Sequence, residues 1–169
     1  MPQIHSASFE AIAMQELPVL YRIAKRMTLD PSEAEDLVAQ TLANASSAWH
    51  SFDGRHARSW LVRIMKNEHF SNFRRKKARP EPVPLEADIL GEDPWEEVSW
   101  KASGDQIWNA VDELPEDFRL TISLCDVEEL TYEEAARAMD IPVGTVRSRL
   151  FRARRLLRAK LSHLNPVVN

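Results

Sequence analysis

The stretch from Leu130 to Arg155 leaves the chain little choice of fold. It reads as helix, tight turn, helix. Thr131 followed by Glu134 is the signature of a capping box, which fixes a helix start. Ala135, Ala136 and Met139 give that helix a small-residue face on which another helix can approach closely. Asp140 falls where the chain must turn, and aspartate accepts left-handed geometry better than most residues. Pro142, lacking an N–H, suits the first turn of a new helix. From Val143 onward, Val146, Leu150, Ala153, Leu157 and Leu161 recur at three- or four-residue spacing and define one buried stripe. Arg147, Arg149, Arg152, Arg154, Arg155, Arg158 and Lys160 lie between them. A helix packed on one side and cationic on the other fits the major groove, with its N-terminal residues reaching base edges. A solvated basic helix in an ordinary bundle would share the charge run. The cap, the turn and arginines beginning directly after the turn favour the nucleic-acid reading.

The string Ile-Pro-Val-Gly-Thr-Val-Arg-Ser-Arg-Leu-Phe-Arg-Ala-Arg at 141–154, with Asp112-Glu113-Leu114-Pro115 upstream, resembles region 4 of the extracytoplasmic-function (ECF) group of bacterial sigma-70 factors. The resemblance implies that Gly144, Thr145, Arg147, Ser148, Arg149, Phe151 and Arg152 meet a −35 promoter duplex. The residue types suit that task. Arginine can address guanine edges and phosphates, phenylalanine can touch a thymine methyl, and a helix N-terminus at Gly144 and Thr145 welcomes a phosphate.

A net charge of −4 argues at first against a nucleic-acid partner, but the average hides a pattern. Residues 55–79 carry nine Lys/Arg against one Glu, residues 81–99 carry seven acids and no base, and residues 140–160 carry seven Lys/Arg against one Asp. Local charge is the better guide to partners. No apolar run approaches the ~20 residues that span a bilayer, and Met1–Glu10 lacks the layout of a secretory signal. A cytoplasmic protein without membrane insertion is expected. Cys125 is the one cysteine, which excludes an internal disulfide and any multi-cysteine metal site. It falls in an apolar helical run and reads as a buried, inert thiol.

Residues 9–28 are expected to be helical, in one piece or in two joined at Pro18, with Leu17, Leu20, Tyr21, Ala24 and Met27 inside. Asp30-Pro31-Ser32-Glu33 opens the next helix, with Asp30 as cap, Pro31 at the first position and Glu33 completing a box. Its apolar side is Ala34, Leu37, Val38, Thr41, Leu42, Ala45 and Trp49. Glu33-Ala34-Glu35-Asp36-Leu37-Val38 and Thr41 resemble region 2.2 of the same family. That implies docking of Glu35, Asp36, Leu37, Val38, Gln40 and Thr41 on the clamp helices of the largest RNA polymerase subunit. The family commonly has Gln and an acid just before the threonine, where this chain has Ala39 and Gln40. An amphipathic helix with acids near its positive end fits the same pattern.

After a turn at Ser51–His56, with Gly54 for backbone freedom, a third helix is expected over Arg58–Lys77. Trp60, Leu61, Ile64, Met65 and Phe73 would be inside and His69 on the surface. Ser59-Trp60-Leu61-Val62-Arg63-Ile64-Met65-Lys66-Asn67 resembles regions 2.3 and 2.4, which melt and hold the −10 element. Asn67 matches the position that contacts an extruded base, and an amide can both donate to and accept from a base edge. Arg63, Lys66, Arg74 and Arg75 would attend phosphates. Met65-Lys66-Asn67-Glu68-His69-Phe70 also resembles the general-stress subgroup of the family, which implies a stress response.

Pro80, Pro82, Pro84 and Pro94 break regular structure in an acidic linker that fits a plain solvated tether. The resemblance implies that it threads polymerase channels. About 20 residues reach at most ~66–72 Å, against ~50–70 Å between promoter elements one and a half to two duplex turns apart. The tether spans that distance when extended, which prolines and mutual acid repulsion favour.

The expected fold is all-α: a first bundle (1–78), a linker (79–99), and a second bundle (100–169) that ends in the helix-turn-helix. The resemblance covers roughly residues 9–163, with no counterpart of regions 1.1 and 3 of larger sigma factors. It implies a sigma factor whose partners are core RNA polymerase (clamp helices and flap), promoter DNA and an anti-sigma factor. Two other functions fit part of the chain. One is a polymerase-independent helix-turn-helix regulator, which leaves the second basic helix unexplained. The other is a sigma-like decoy that titrates an anti-sigma factor and need not keep DNA-reading residues. No phosphate-binding glycine motif, metal-ligand cluster or nucleophile–base pair points to an enzyme, and no cofactor is expected.

Overall fold

The protein is represented by a computed structural model that describes residues 7–76 and 104–164. The expected linker, 79–99, lies outside the described residues. These form seven α-helices and no strand: α1 (Phe9–Thr28), α2 (Pro31–Ser47), α3 (Ala57–Lys76), α4 (Gly104–Asp112), α5 (Glu116–Ile122), α6 (Tyr132–Met139) and α7 (Val143–Leu164). A 3-10 turn at Trp49–Ser51 and a π-turn at Ser123–Val127 complete the regular structure. None of the described helices is long and apolar enough to cross a membrane.

Ser8 starts α1 by accepting a hydrogen bond from the Ala11 N–H at 3.2 Å. The helix runs unbroken through Pro18. The proline ring stands on the exposed side, where the Met14 carbonyl it leaves without an N–H partner can be hydrated. The buried face is Glu16, Val19, Leu20, Ile23, Ala24 and Met27. Leu17, expected inside, is exposed instead. Reading the helix as continuous selects Val19 and Ile23 in its place, because 16, 19, 20, 23, 24 and 27 form one 3.6-residue stripe. Leu29 closes α1 in the left-handed conformation and donates its N–H to the Lys25 carbonyl at 2.9 Å.

Asp30 caps α2 as expected, accepting from the Glu33 N–H at 2.9 Å. The reciprocal half of that box is replaced, since the Asp30 N–H donates to the Thr28 hydroxyl at 3.3 Å. Gly54 adopts a φ of 83°, which the turn between α2 and α3 requires and glycine accepts without strain. Trp60 packs at the core margin, its ring centroid 6.0 Å from that of Trp49 and 4.9 Å from that of Phe52.

In the second half, α6 carries the complete capping box. The Thr131 hydroxyl accepts from the Glu134 N–H at 3.1 Å, and the Glu134 carboxylate accepts from the Thr131 N–H at 2.9 Å. Asp140 then turns the chain in the left-handed region. Val146, Leu150, Ala153, Leu157 and Leu161 are all buried. They seat α7 on α5 and α6. Cys125 is half-buried in the π-turn, and burial pushes its thiol up to about 12, so it stays protonated and unreactive at neutral pH.

The two bundles pack on each other. A continuous core joins Leu20, Ile23, Leu61 and Met65 of the first to Leu120, Leu124, Ala135 and Met139 of the second. Helix α6 lies along α3, so the small-residue face does receive another helix, and that helix belongs to the other half.

The box on α6 is open to test. Thr131→Ala should lower stability by ~1 kcal/mol, within the ~0.5–2 kcal/mol range of cap losses, as measured by denaturant unfolding. The Thr131 backbone N–H holds the Glu134 carboxyl below its ordinary value. A depressed carboxyl stabilises above its unfolded pKa and loses that contribution as pH falls through the folded one. The gap between wild type and Glu134→Ala should therefore close on acidification below the ordinary carboxylate range.

Candidate nucleic-acid and protein-binding surfaces

Three surfaces carry the residues singled out by sequence. The first is the start of α7. Gly144 is exposed, and a Cβ built there would meet nothing within 4 Å. The fold itself makes no steric demand for glycine, and the bare backbone leaves the helix N-terminus open to an approaching anion. The Pro142 carbonyl accepts from the Thr145 and Val146 N–H groups at 3.0 and 3.2 Å, which begins the helix. Arg147 is exposed, with its guanidinium carbon 5.9 Å from the Tyr132 ring centroid. The half-buried Ser148 hydroxyl donates to the Thr145 carbonyl at 3.2 Å. Phe151 and Arg152 are half-buried, and the Arg152 guanidinium carbon lies 5.9 Å from the Phe118 ring centroid.

The cationic side of α7 is thus divided between tasks. Arg154 makes a fork to Asp126, with Nη2 at 2.6 Å from Oδ1 and Nε at 3.1 Å from Oδ2. Arg149 turns toward Asp117 at 3.7 Å, and Lys160 reaches Glu113 at 2.8 Å. These three bases neutralise acids of α5, the π-turn and the residue that follows α4. Arg149, expected to face DNA, therefore faces α5 in this conformation.

The second surface is α3. Arg63 and Asn67 are exposed on it. Arg74 and Arg75 lie near its end, and their side chains fall outside the described residues. Lys66 is half-buried, and its Nζ donates to the Met139 carbonyl at the end of α6. Beside this face is an open cleft of about 460 Å³ whose walls include Arg55, Trp60, Arg63 and Arg137. An indole beside arginines can offer a base a stacking face and its phosphates counter-charge. Arg55 and Arg137 were not singled out by sequence, although the first stands in the turn with Gly54 and so had a local signal.

His69, expected at the surface, is buried. Its Nε2 lies 2.5 Å from Glu116 Oε1 across the junction of the halves. Its position on α3 follows from one helical periodicity with Leu61, Val62 and Met65, a stripe that continues to meet the second bundle.

The third surface is α2. Glu35, Asp36 and Gln40 are exposed. Leu37, Val38 and Thr41 are buried, and the Thr41 hydroxyl donates to the Leu37 carbonyl at 2.7 Å. Those three side chains build the bundle and are not available to a partner in this conformation. Gln40 Nε2 donates to Asn44 Oδ1 at 3.0 Å, and Asn44 in turn donates to Glu68 of α3 at 2.9 Å, so the exposed amide is held in place.

The polar residue that most shapes the junction was not anticipated. Arg119 of α5 is only 9% exposed. Its Nε donates to the Arg26 carbonyl at 2.5 Å and its Nη1 to the carbonyls of Asp112 and Leu114, each at 3.2 Å. Burial lowers its pKa, against the opposing pull of Glu116 and Asp112. Its one sequence signal is a lone cation in the apolar run Phe118–Leu120.

The chain is similar to known proteins over both halves. Residues 12–79 match the family described as Sigma-70 region 2, and residues 104–157 match Sigma-70 region 4. The chain is 33% identical over 159 residues to the ECF RNA polymerase sigma factor SigE of Mycolicibacterium smegmatis, which covers 92% of this chain and 62% of that protein. The chain thus spans under two thirds of that relative's length. It is 31% identical over 147 residues to the ECF RNA polymerase sigma factor SigM of Bacillus subtilis, covering 83% of this chain and 86% of that one. Among solved structures it is similar to the sigma factor RpoE in complex with the anti-sigma factor NepR from Bartonella quintana. The TM-score is 0.71 at 28% identity, over 91% of this chain and 96% of that one.

Proposed function

We infer the function of this chain from its kinship: it belongs to the ECF group of the sigma-70 RNA polymerase sigma factors. On that premise it binds core polymerase, recognises −35 and −10 promoter elements and directs initiation, while the chemistry of RNA synthesis stays with the polymerase. The observation that carries this reading is the pairing, in one chain, of two cationic helix faces. Arg147 stands exposed beside the open helix end at Gly144, and Arg63 and Asn67 stand exposed on α3. A regulator with one helix-turn-helix has no use for the second face.

The roles divide among the residues as follows. Gly144, Thr145, Arg147, Ser148, Phe151 and Arg152 form the −35 face, and Arg149 joins it on leaving Asp117. Arg63, Lys66, Asn67, Arg74 and Arg75 attend the −10 strand, with Arg55 and Trp60 alongside. Glu35, Asp36 and Gln40 meet the polymerase clamp, while Leu37, Val38 and Thr41 support them from within. The likeness to a sigma factor solved with an anti-sigma factor, over nearly the full length of both chains, supports an anti-sigma partner for this chain too. Work beside the polymerase calls for a cytoplasmic location.

Run-off transcription with purified core polymerase and a pool of promoter fragments tests the function. Discrete transcripts that require the protein support it, and their absence with no polymerase binding by folded protein refutes it. Two substitutions separate the surfaces. Arg147→Ala should cost ~1–3 kcal/mol at one −35 position, a ~5–150-fold loss, with core binding unchanged. Equal loss of core binding would make Arg147 structural. The double variant Glu35→Ala, Asp36→Ala should do the reverse, weakening core binding ~10-fold or more in a binding titration. Unchanged affinity would remove α2 from the polymerase interface.

A further inference from the structure

Arg22, Arg26, Arg58, Arg149, Arg154 and Lys160 each face a carboxylate, and Arg119 is met by backbone carbonyls. Arg55, Arg63 and Arg137 differ. All three are exposed, and none has an ion-pair partner among the described residues. They line one cleft of about 460 Å³.

Each comes from a different element. Arg55 stands in the turn beside Gly54, Arg63 on α3 and Arg137 in the last turn of α6. The Ser59 hydroxyl, on the Glu134 carbonyl at 3.0 Å, seats α6 against α3. Arg137 follows Glu134 by three residues, so it shares that face of α6 and reaches the cleft. Glu133, one turn before Arg137 and spaced to pair with it, makes no ion pair with it among the described residues. Asp53 is the acid on the cleft wall, and its carboxylate accepts from the Arg55 backbone N–H at 2.8 Å.

Like charges gathered around one concavity repel each other, and their fields add inside it. The fitting counter-ion is one molecule with several negative charges close together. A single phosphate answers one guanidinium. A chain of phosphates presents oxygens to all three, in the fork geometry that guanidinium favours. The cleft also falls within the ~300–1,000 Å³ range of small-molecule sites. A −10 strand accounts for Arg55 and Arg63 on the first half, but not for Arg137 on the second.

We propose that this cleft binds an oligophosphate chain, carried by a nucleoside triphosphate or free as inorganic oligophosphate, with Arg55, Arg63 and Arg137 as its clamp. Trp60 borders the cleft, so a base on the chain gains an aromatic neighbour that the inorganic ion cannot use. The site itself rests on the arrangement of this chain's own residues. Its consequence rests on the sigma reading: the ligand occupies Arg55 and Arg63, so it and the −10 strand exclude one another.

Isothermal titration calorimetry on the full chain tests the site, with tripolyphosphate, GTP and AMP as probes. At ~0.15 M salt the Debye length is ~8 Å, so diffuse attraction is screened and close contact is what the titration reads. Tripolyphosphate and GTP should each bind as one molecule per chain. AMP should bind ~100-fold more weakly, since it forgoes two of the three guanidinium contacts at ~10-fold each. Arg137→Ala and Arg55→Ala should each weaken tripolyphosphate ~10-fold. Both positions are exposed, and circular dichroism checks that the variants keep their helices. Lys25→Ala, at an exposed cation on α1, should leave the affinity unchanged. GTP binding tighter than tripolyphosphate assigns the nucleotide as the source of the chain, and the reverse order assigns the inorganic ion.

The site is overturned by absence of saturable binding, by AMP matching tripolyphosphate, by equal losses in Lys25→Ala and Arg137→Ala, or by wild-type affinity in folded Arg137→Ala. The tighter of the two chain probes should also displace a ~15-nucleotide single strand. Undiminished strand binding at saturation overturns the shared use of Arg55 and Arg63. Run-off transcription in parallel keeps the two claims apart. If the chain supports no initiation, the sigma reading fails while calorimetry still decides the cleft.

Discussion

The junction of the two bundles turns on one guanidinium. Arg119 is a cation almost removed from water, an arrangement that costs several kcal/mol unless its donors are met. It is tolerable here because carbonyls from two helix ends converge on it. Those of Arg26 and Met27 lie in the last turn of α1, and those of Asp112 and Leu114 lie at the end of α4. Asp112 does double duty, since its carboxylate also takes Arg26 at 2.7 Å. The Arg26 guanidinium in turn lies 3.9 Å from the Trp108 ring centroid. A lysine could not replace Arg119, because only the planar fork presents enough donors to address several fixed carbonyls at once.

The same economy of charge governs α7. Its basic residues are numerous enough to bind any polyanion, but the acids around it select which remain outward. Asp126, Asp117 and Glu113 take Arg154, Arg149 and Lys160. What this leaves at the N-terminal end is Arg147, beside a helix start with no side chain at Gly144. A duplex edge read from a helix end needs that concentration of charge, since bases further along the helix would contact only backbone. The acids of the second half thus focus the cationic face and do not oppose it.

Local chemistry was the legible part. Caps at Asp30 and Thr131, the left-handed Asp140 and the stripe of α7 are written within a few residues of where they act, and each stands as read. Pro18 left one helix or two open, and the stripe that runs through it, with Val19 and Ile23 inside and Leu17 outside, belongs to a single helix. The burial of Arg119 could not be read locally, because its carbonyl partner lies 93 residues away, whereas His69 falls on the same helical stripe as Leu61, Val62 and Met65. Carrying roles from family positions had its own limit. Leu37, Val38 and Thr41 match a docking motif in name, yet motif matching cannot say which side chains of an amphipathic helix point inward. The periodicity did say so, since the same residues had been assigned to the apolar side of α2.

The small-residue face of α6 shows how the seam between the halves combines close approach with a few polar contacts. Alanine side chains let α3 approach closely, but each buries little apolar area, and at ~25 cal/mol per Å² small areas give small free energies. Ala135, Ala136 and Ala138 therefore provide shape more than adhesion. Adhesion comes from the large apolar side chains around them, Leu61 and Met65 of α3 with Leu120, Leu124 and Met139 of the second half, to which Ser59 on the Glu134 carbonyl and Lys66 on the end of α6 add polar contacts. Hydrogen bonds of this kind exchange readily for equivalent bonds to water or phosphate, so their net worth is modest even when each is well formed.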